Sequence, residues 1–280
     1  MRLPKHRLFD YNTPGKGVSK DEPPKKGIAL FGDILLRRFW KMVSLNFLYF
    51  LFSIPALIIM WFMIYVVLTF FFSGLMADDP QLQRGVTQIC MCLTCVVYAL
   101  FGGGAPTAAM TYVLRNYRED RHSWVWADFK EKLFENFKQG TAVFAIDMVF
   151  IFLLSINYWF YSVYAASNIA AFFLQGLMAV LFLIFLLMHA YIYPIMISFD
   201  MKIRDIYKKS FLLAIGKLPT TFFSMILCVI FCSLIAYLAC FVMIYAVLVI
   251  PIIMFAFTSY LNLFITYPVI KRYLVKSEDN

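Results

Sequence analysis

The sequence predicts an all-α membrane protein in which six transmembrane helices form three hairpins. Hydrophobic residues make up 62% of the 280-residue chain and charged residues only 15%, against about 45–50% and 25% in soluble domains. Residues 218–270 contain no side chain that is charged at neutral pH, and within residues 139–199 only Asp147 and His189 can carry a charge. Each stretch is at least twice as long as the ~20 residues that one bilayer crossing needs, so each is expected to cross twice.

Apolar segments place the six spans at residues 42–73, 86–114, 141–161, 169–197, 220–243 and 247–267. The second span would be about 43 Å long as a straight helix, which exceeds the ~30 Å hydrocarbon core. Glycine and proline interrupt helices, so we expect this span to bend or unwind at its helix break, which consists of Gly102, Gly103, Gly104 and Pro106.

The composition divides the chain into three parts. Residues 1–30 are rich in Lys, Pro and Gly and are typical of a flexible basic cytosolic tail. Residues 31–273 form the six-helix transmembrane domain, and residues 274–280 form a second cytosolic tail.

The distribution of Lys and Arg predicts the orientation. Of the 25 basic residues, 24 lie before span one, between spans two and three, between spans four and five, or after span six. Only Arg84 lies on the opposite side. Because basic loops stay in the cytoplasm, we expect both termini to be cytoplasmic. The net charge of +9 is therefore a topology signal, and no nucleic-acid partner is expected.

An amphipathic helix is predicted between spans two and three. Its apolar face follows a 3.6-residue period and comprises Trp126, Phe129, Leu133, Phe134 and Phe137. Charged residues occupy the other face, where Asp128 and Lys132 have the i,i+4 spacing of an ion pair. This helix is either an interfacial connector in the headgroup layer or a docking surface for a cytosolic partner.

A short motif recurs three times, each time just before a pair of spans. It consists of an Asp, a base four residues later and a Phe six residues later. The three copies are Asp33, Arg37 and Phe39; Asp128, Lys132 and Phe134; and Asp205, Lys209 and Phe211. We interpret them as three cytoplasmic interfacial helices, each followed by a helical hairpin, related by a possible three-fold parallel repeat.

Asp147 and His189 are predicted to lie at similar depth, about 10–12 Å from the cytoplasmic surface on adjacent antiparallel helices. Ionisable residues inside spans are rare and tend to be functional, so the two could pair as a proton relay or line a substrate site, to which Asn157 could contribute. Alternatively, both are structural groups held by hydrogen bonds. The other intramembrane amides, Asn46, Gln175 and Asn262, suit helix-to-helix hydrogen bonding.

No catalytic motif is found. The six cysteines lie in apolar runs without a nearby His or carboxylate, and no phosphate loop, nucleophile elbow or HExxH sequence is present. We therefore expect a protein that is not an enzyme, with no catalytic residues, no cofactor and no bound metal.

Several segments carry a family resemblance: GGGAPTAAMTYVLRNY, WADF, NFKQ, YPIMISFD and IYKKSFLLAIGKLP. Over about residues 30–273 the chain resembles the YesL-like family of bacterial integral membrane proteins of unknown function. Such proteins are frequently encoded beside carbohydrate-uptake transporters, so the resemblance implies a multi-pass protein of the bacterial plasma membrane. It implies an accessory component of carbohydrate uptake whose partners are the lipid bilayer and either a sugar-transporter permease or further copies of itself. The alternative is a small secondary transporter whose polar site lies near Asp147 and His189.

Overall fold

The structure, a computed structural model, describes residues 27–72, 80–165, 168–241 and 253–275, and within these ranges the chain is helical and contains no strand. The helices are α1 Gly27–Phe72, α2 Pro80–Phe101, α3 Ala105–Arg118, α4 Val125–Glu135, α5 Phe137–Ala165, α6 Ile169–Met196, α7 Ile203–Gly216, α8 Leu218–Phe241 and α9 Phe255–Ile270. A short π-helical turn, Lys271–Val275, follows α9. Most of the tail at 1–30, the loop at 73–79 and the end of the chain beyond residue 275 lie outside the described residues.

Four of the described helices are long and apolar enough to cross a membrane: Gly27–Thr69, Phe137–Ser162, Ile169–Met196 and Leu218–Leu238. A fifth span results if α2 and α3 are counted as one broken helix. The beginning of the sixth predicted span falls outside the described residues, and α9 covers its second half. Large apolar side chains such as Ile58, Phe173 and Phe223 are more than half exposed, which suits helices that face lipid.

The helix break lies at the position expected from the sequence. The axes of Leu93–Phe101 and Ala105–Arg118 differ by 61°. Gly102 and Gly104 have φ of 82° and 79°, a left-handed conformation that residues with a Cβ rarely adopt. A Cβ on Gly104 would lie 2.7 Å from the backbone oxygen of Gly140, so glycine also permits α3 and α5 to cross closely.

The broken helix places α3 in the middle of the molecule. Most residues of α3 are buried, and it packs against α1, α4, α5, α6 and α9. Two of the amides join helices that are distant in sequence: the Asn46 side chain accepts a hydrogen bond from the Ala256 amide at 2.7 Å, and Asn262 donates to the Ala190 carbonyl at 3.0 Å.

One end of the molecule collects the charged loops, and we call it the basic end. Arg38 at the start of α1 contacts Asp120 in the α3–α4 turn at 2.9 Å. Lys271 after α9 lies 3.6 Å from Glu119. The α4–α5 junction and the α6–α7 turn also lie together, because Gln139 donates to the Met201 carbonyl at 2.7 Å.

The first predicted interfacial helix is not a separate element, which corrects the expectation of one such helix before every hairpin. Helix α1 continues without interruption from Gly27 to Phe72, four residues earlier than the predicted boundary of the tail. The physical reason is local: α4 ends at Glu135 and α7 ends at Gly216, three residues before Pro219, whereas residues 33–54 contain neither Gly nor Pro.

The repeated motif has a different set of contacts in its first two copies. Asp33 and Arg37 form the i,i+4 ion pair at 2.7 Å. The predicted Asp128–Lys132 pair is wrong, because Asp128 accepts hydrogen bonds from the Ser123 hydroxyl and the Trp124 amide at the start of α4, where a carboxylate is stabilised by the helix dipole.

Lys132 instead contacts Glu135 at 2.5 Å and Glu131 at 3.4 Å. In the third copy, Lys209 lies over the Phe199 ring at 6.0 Å. The motif phenylalanines Phe39, Phe134 and Phe211 are all exposed, as expected of side chains at a membrane interface. The three-fold symmetry itself stays a prediction.

Candidate functional site

The buried centre of the candidate site is a carboxyl–imidazole contact between two long helices. Asp147 lies on α5 and His189 on α6, and Oδ2 of Asp147 is 3.0 Å from Nε2 of His189. Both side chains are essentially inaccessible to solvent. The approach is an ion-pair distance rather than an aligned hydrogen bond, and within the described residues neither atom has another hydrogen-bond partner. The structure therefore brings together the two residues that the sequence suggested could pair.

Aromatic rings and a backbone carbonyl fix the imidazole. Nδ1 of His189 lies 2.9 Å from the Phe185 carbonyl oxygen, one turn earlier in α6. The rings of Phe101 and Phe185 approach it at centroid distances of 4.7 and 4.6 Å. These contacts leave Nε2 directed at Asp147 and surround the ring with apolar groups.

The second oxygen of Asp147 is bound from outside the predicted spans. The Tyr207 hydroxyl of α7 donates to Oδ1 of Asp147 at 2.8 Å. Burial, together with the adjacent Asp147 carboxyl, raises the pKa of the Tyr207 phenol above its ordinary value, so the phenol keeps its proton and remains a donor. Sequence analysis did not identify Tyr207 as a site residue, although a tyrosine on the buried face of an amphipathic helix indicates a need for a buried acceptor.

A small cavity lies at the helix break, with His189 in its lining. Its volume is about 40 Å³, and its lining includes His189, Thr107, Cys228, Thr258 and Asn262. This volume accommodates a water-sized group, and the hydroxyl and amide side chains supply hydrogen-bond partners. Residues of α2, α3, α6, α8 and α9 line the cavity, so it lies where the broken helix meets the rest of the bundle.

Side chains satisfy the backbone amides that the break exposes. The Gly103 amide donates to the Thr107 hydroxyl at 2.7 Å, and the Gly104 amide donates to the Tyr193 hydroxyl at 3.1 Å. Thr107 is also 3.1 Å from the Tyr49 hydroxyl. Because unsatisfied amides are costly in an apolar interior, these side chains are what allow a break there.

The third candidate site residue, Asn157, does not join the pair. It lies on an exposed face of α5 and donates to the Leu153 carbonyl at 2.7 Å. Ten residues separate it from Asp147, which is about 15 Å along a helix. This placement corrects its inclusion in a common polar site.

A larger groove opens at the basic end. Its volume is about 400 Å³, and it is bounded by α3, the α4–α5 junction and residues 196–200. The charged residues in its lining are Lys132, Glu135 and Asp200. Tyr112 forms part of the wall, with the ammonium of Lys132 over its ring at 5.0 Å and the guanidinium of Arg115 at 4.9 Å.

Within the described ranges, no group of three or more His, Cys, Asp or Glu side chains is arranged to hold a metal ion. Cys90, Cys95, Cys228 and Cys232 are free thiols. The expectation of no cofactor and no catalytic residues stays a prediction.

The long apolar helices and the exposed apolar faces indicate a helical integral membrane protein. Residues 42–158 match the family model described as "Protein of unknown function, DUF624". The matched region runs from within α1 to within α5 and includes the helix break and Asp147, so this part of the chain is similar to a family of uncharacterised proteins. Comparisons with curated proteins and with solved structures gave no match.

Proposed function

We propose that this protein is an accessory membrane subunit that docks to the permease of a carbohydrate-uptake system through the groove at its basic end. The observation that supports this function best is the groove itself: an open volume of about 400 Å³ beside a tightly packed interior. Helices α4 and α7, which contain the second and third motif copies, lie at the same end. The resemblance to proteins encoded beside sugar transporters supplies the class of partner.

The charges of the groove favour a basic occupant. Its lining contains two carboxylates, Glu135 and Asp200, and one ammonium, Lys132. Lys132 already contacts Glu135 and Glu131. Cytoplasmic loops of permeases are rich in Lys and Arg, so a basic permease loop complements this surface. The proposal requires the orientation inferred from the sequence, in which the basic end faces the cytoplasm.

Affinity purification of the full chain in mild detergent tests this function. We expect mass spectrometry to identify a sugar-transporter permease, and the double variant Glu135→Lys/Asp200→Lys to reduce its recovery at least tenfold. The matched control is Asp205→Lys, which changes an exposed acidic residue on α7 outside the groove lining. Equal recovery with all variants, or a homo-oligomer without any permease, would contradict the proposal.

A second candidate function is secondary transport, which is supported by the cavity beside a discontinuous helix. Transporters use broken helices near the bilayer midplane to bind substrates and coupling ions, and here His189 borders such a cavity. The test uses proteoliposomes containing a trapped pH-sensitive dye. Transport coupled to protons predicts dye-detected proton entry that Asp147→Asn abolishes and that His122→Gln, at an exposed histidine, preserves. Absence of proton entry with the wild-type protein would exclude proton-coupled transport.

A further inference from the structure

We propose that Asp147 and His189 form a proton-binding site that carries one additional proton, on either Oδ2 or Nε2. This inference goes beyond docking and does not depend on it. It rests on which atoms of the two side chains and their neighbours can donate a hydrogen bond and which can only accept one.

Nδ1 of His189 carries a proton in this site. Its partner at 2.9 Å is the Phe185 carbonyl oxygen. A carbonyl oxygen can only accept a hydrogen bond, so Nδ1 must donate and must carry a proton. In a neutral imidazole the other nitrogen, Nε2, then has a lone pair and no proton.

The other ring nitrogen, Nε2, faces a carboxyl oxygen. Oδ2 of Asp147 lies 3.0 Å away, and an ionised carboxylate oxygen is also only an acceptor. A neutral His189 beside an ionised Asp147 would therefore place two lone pairs against each other, on side chains that are essentially inaccessible to solvent. One additional proton removes this conflict, either on Oδ2 as a carboxylic acid or on Nε2 as an imidazolium.

Both proton-loaded forms have the same net charge. A carboxylic acid beside a neutral imidazole carries no charge, and a carboxylate beside an imidazolium sums to zero. Binding of the proton therefore transfers it from water to the pair and neutralises the negative charge of the Asp147 carboxylate. No other bond is formed or broken. A buried site in an apolar medium favours a state without net charge.

Among the described residues, the titratable groups that contact the pair or its cavity supply no compensating charge. Those that face the pair or its cavity are Tyr207 from α7, Tyr193 from α6, Cys228 from α8 and, through Thr107, Tyr49 from α1. Phenols and thiols in apolar surroundings are neutral. Tyr207 also occupies Oδ1 of Asp147, which leaves Oδ2 as the oxygen that shares the proton.

Isotope-edited NMR of the full-length protein in nanodiscs tests the proposal, with ¹⁵N in the histidine rings and ¹³C in the aspartate carboxyls. Near neutral pH we expect His189 to carry a proton on Nδ1, together with either a second proton on Nε2 or a protonated Asp147 carboxyl. A neutral His189 ring beside an ionised Asp147 would overturn the proposal. The His189 signals are assigned from the wild-type spectrum by removing the other two histidines with His6→Gln and His122→Gln, so no variant at the pair has to fold.

An alkaline titration of the same sample gives a second, independent readout. Because the proton belongs to the pair, its loss should change the Asp147 and His189 signals at one common midpoint. Separate midpoints would mean two independent groups and would overturn the shared proton. The NMR result does not depend on whether the groove variants lose permease recovery. Failure of the proton site and failure of the docking function are therefore distinguishable.

Discussion

At Asp147, each carboxyl oxygen meets one partner, and this predicts the effect of two substitutions. In Asp147→Asn, the amide oxygen can accept from Tyr207 while the amide N–H donates to Nε2 of a neutral His189, as a protonated Asp147 would. We expect this variant to lose less than about 1.5 kcal/mol of unfolding free energy. Asp147→Ala leaves Nε2 and the Tyr207 hydroxyl without partners and should lose about 2–4 kcal/mol. Unfolding in mixed micelles measures both, and equal losses would contradict the arrangement.

At Gly104, backbone conformation and space act together. Alanine would have to adopt a φ of 79° and place its Cβ 2.7 Å from the Gly140 carbonyl oxygen, neither of which a side-chain rotation can relieve. We expect Gly104→Ala to reduce the unfolding free energy by about 2 kcal/mol or more. The matched control is Gly176→Ala in α6, where a Cβ meets nothing within 4 Å and helix propensity favours alanine. A change of similar size in both variants would refute this explanation of the break.

At the scale of elements, the Tyr207 hydroxyl anchors α7 to the membrane helices. Its hydrogen bond to Asp147 joins α7 to α5 across 60 residues of sequence. Tyr207→Phe keeps the buried ring and removes only this bond, so we expect a loss of about 1–2 kcal/mol and faster amide hydrogen exchange in α7. Tyr158→Phe, at a tyrosine that is 40% exposed, is the control and should leave exchange in α7 unchanged. Unaltered exchange in Tyr207→Phe would show that apolar packing alone holds the helix.

Features encoded by neighbouring residues could be predicted from the sequence, and those set by distant contacts could not. Gly102–Pro106 predicted the break because glycine and proline act locally, and the 3.6-residue period predicted α4. Tyr207 and Tyr193 were missed because their partners, Asp147 and the Gly104 amide, are brought near only by packing. The ion pair assigned to Asp128 was wrong for a related reason: i,i+4 spacing permits a contact, but competition with the α4 N-terminus decides it.

At the scale of the whole molecule, the turn between α6 and α7 connects the groove to the buried pair. Residues 196–200 line the groove, and α7 begins three residues later with Tyr207 in its second turn. A partner that displaces this turn would also displace the donor to Asp147, and by linkage the proton state of the pair would alter affinity for the partner. Docking and proton binding are therefore separate proposals whose sites are mechanically adjacent.

The orientation of the whole molecule gives the last prediction. The basic end gathers Arg38, Arg121 and Lys271, whereas Ile169 lies at the opposite end of the long apolar helix α6. If the basic end is cytoplasmic, a membrane-impermeant maleimide applied to intact cells should label Ile169→Cys and spare Trp124→Cys; the two native side chains are 77% and 71% exposed. Both variants should react after permeabilisation, and the unsubstituted chain reports background from native thiols. Labelling of Trp124→Cys alone in intact cells would show the opposite orientation and would exclude a cytoplasmic partner for the groove.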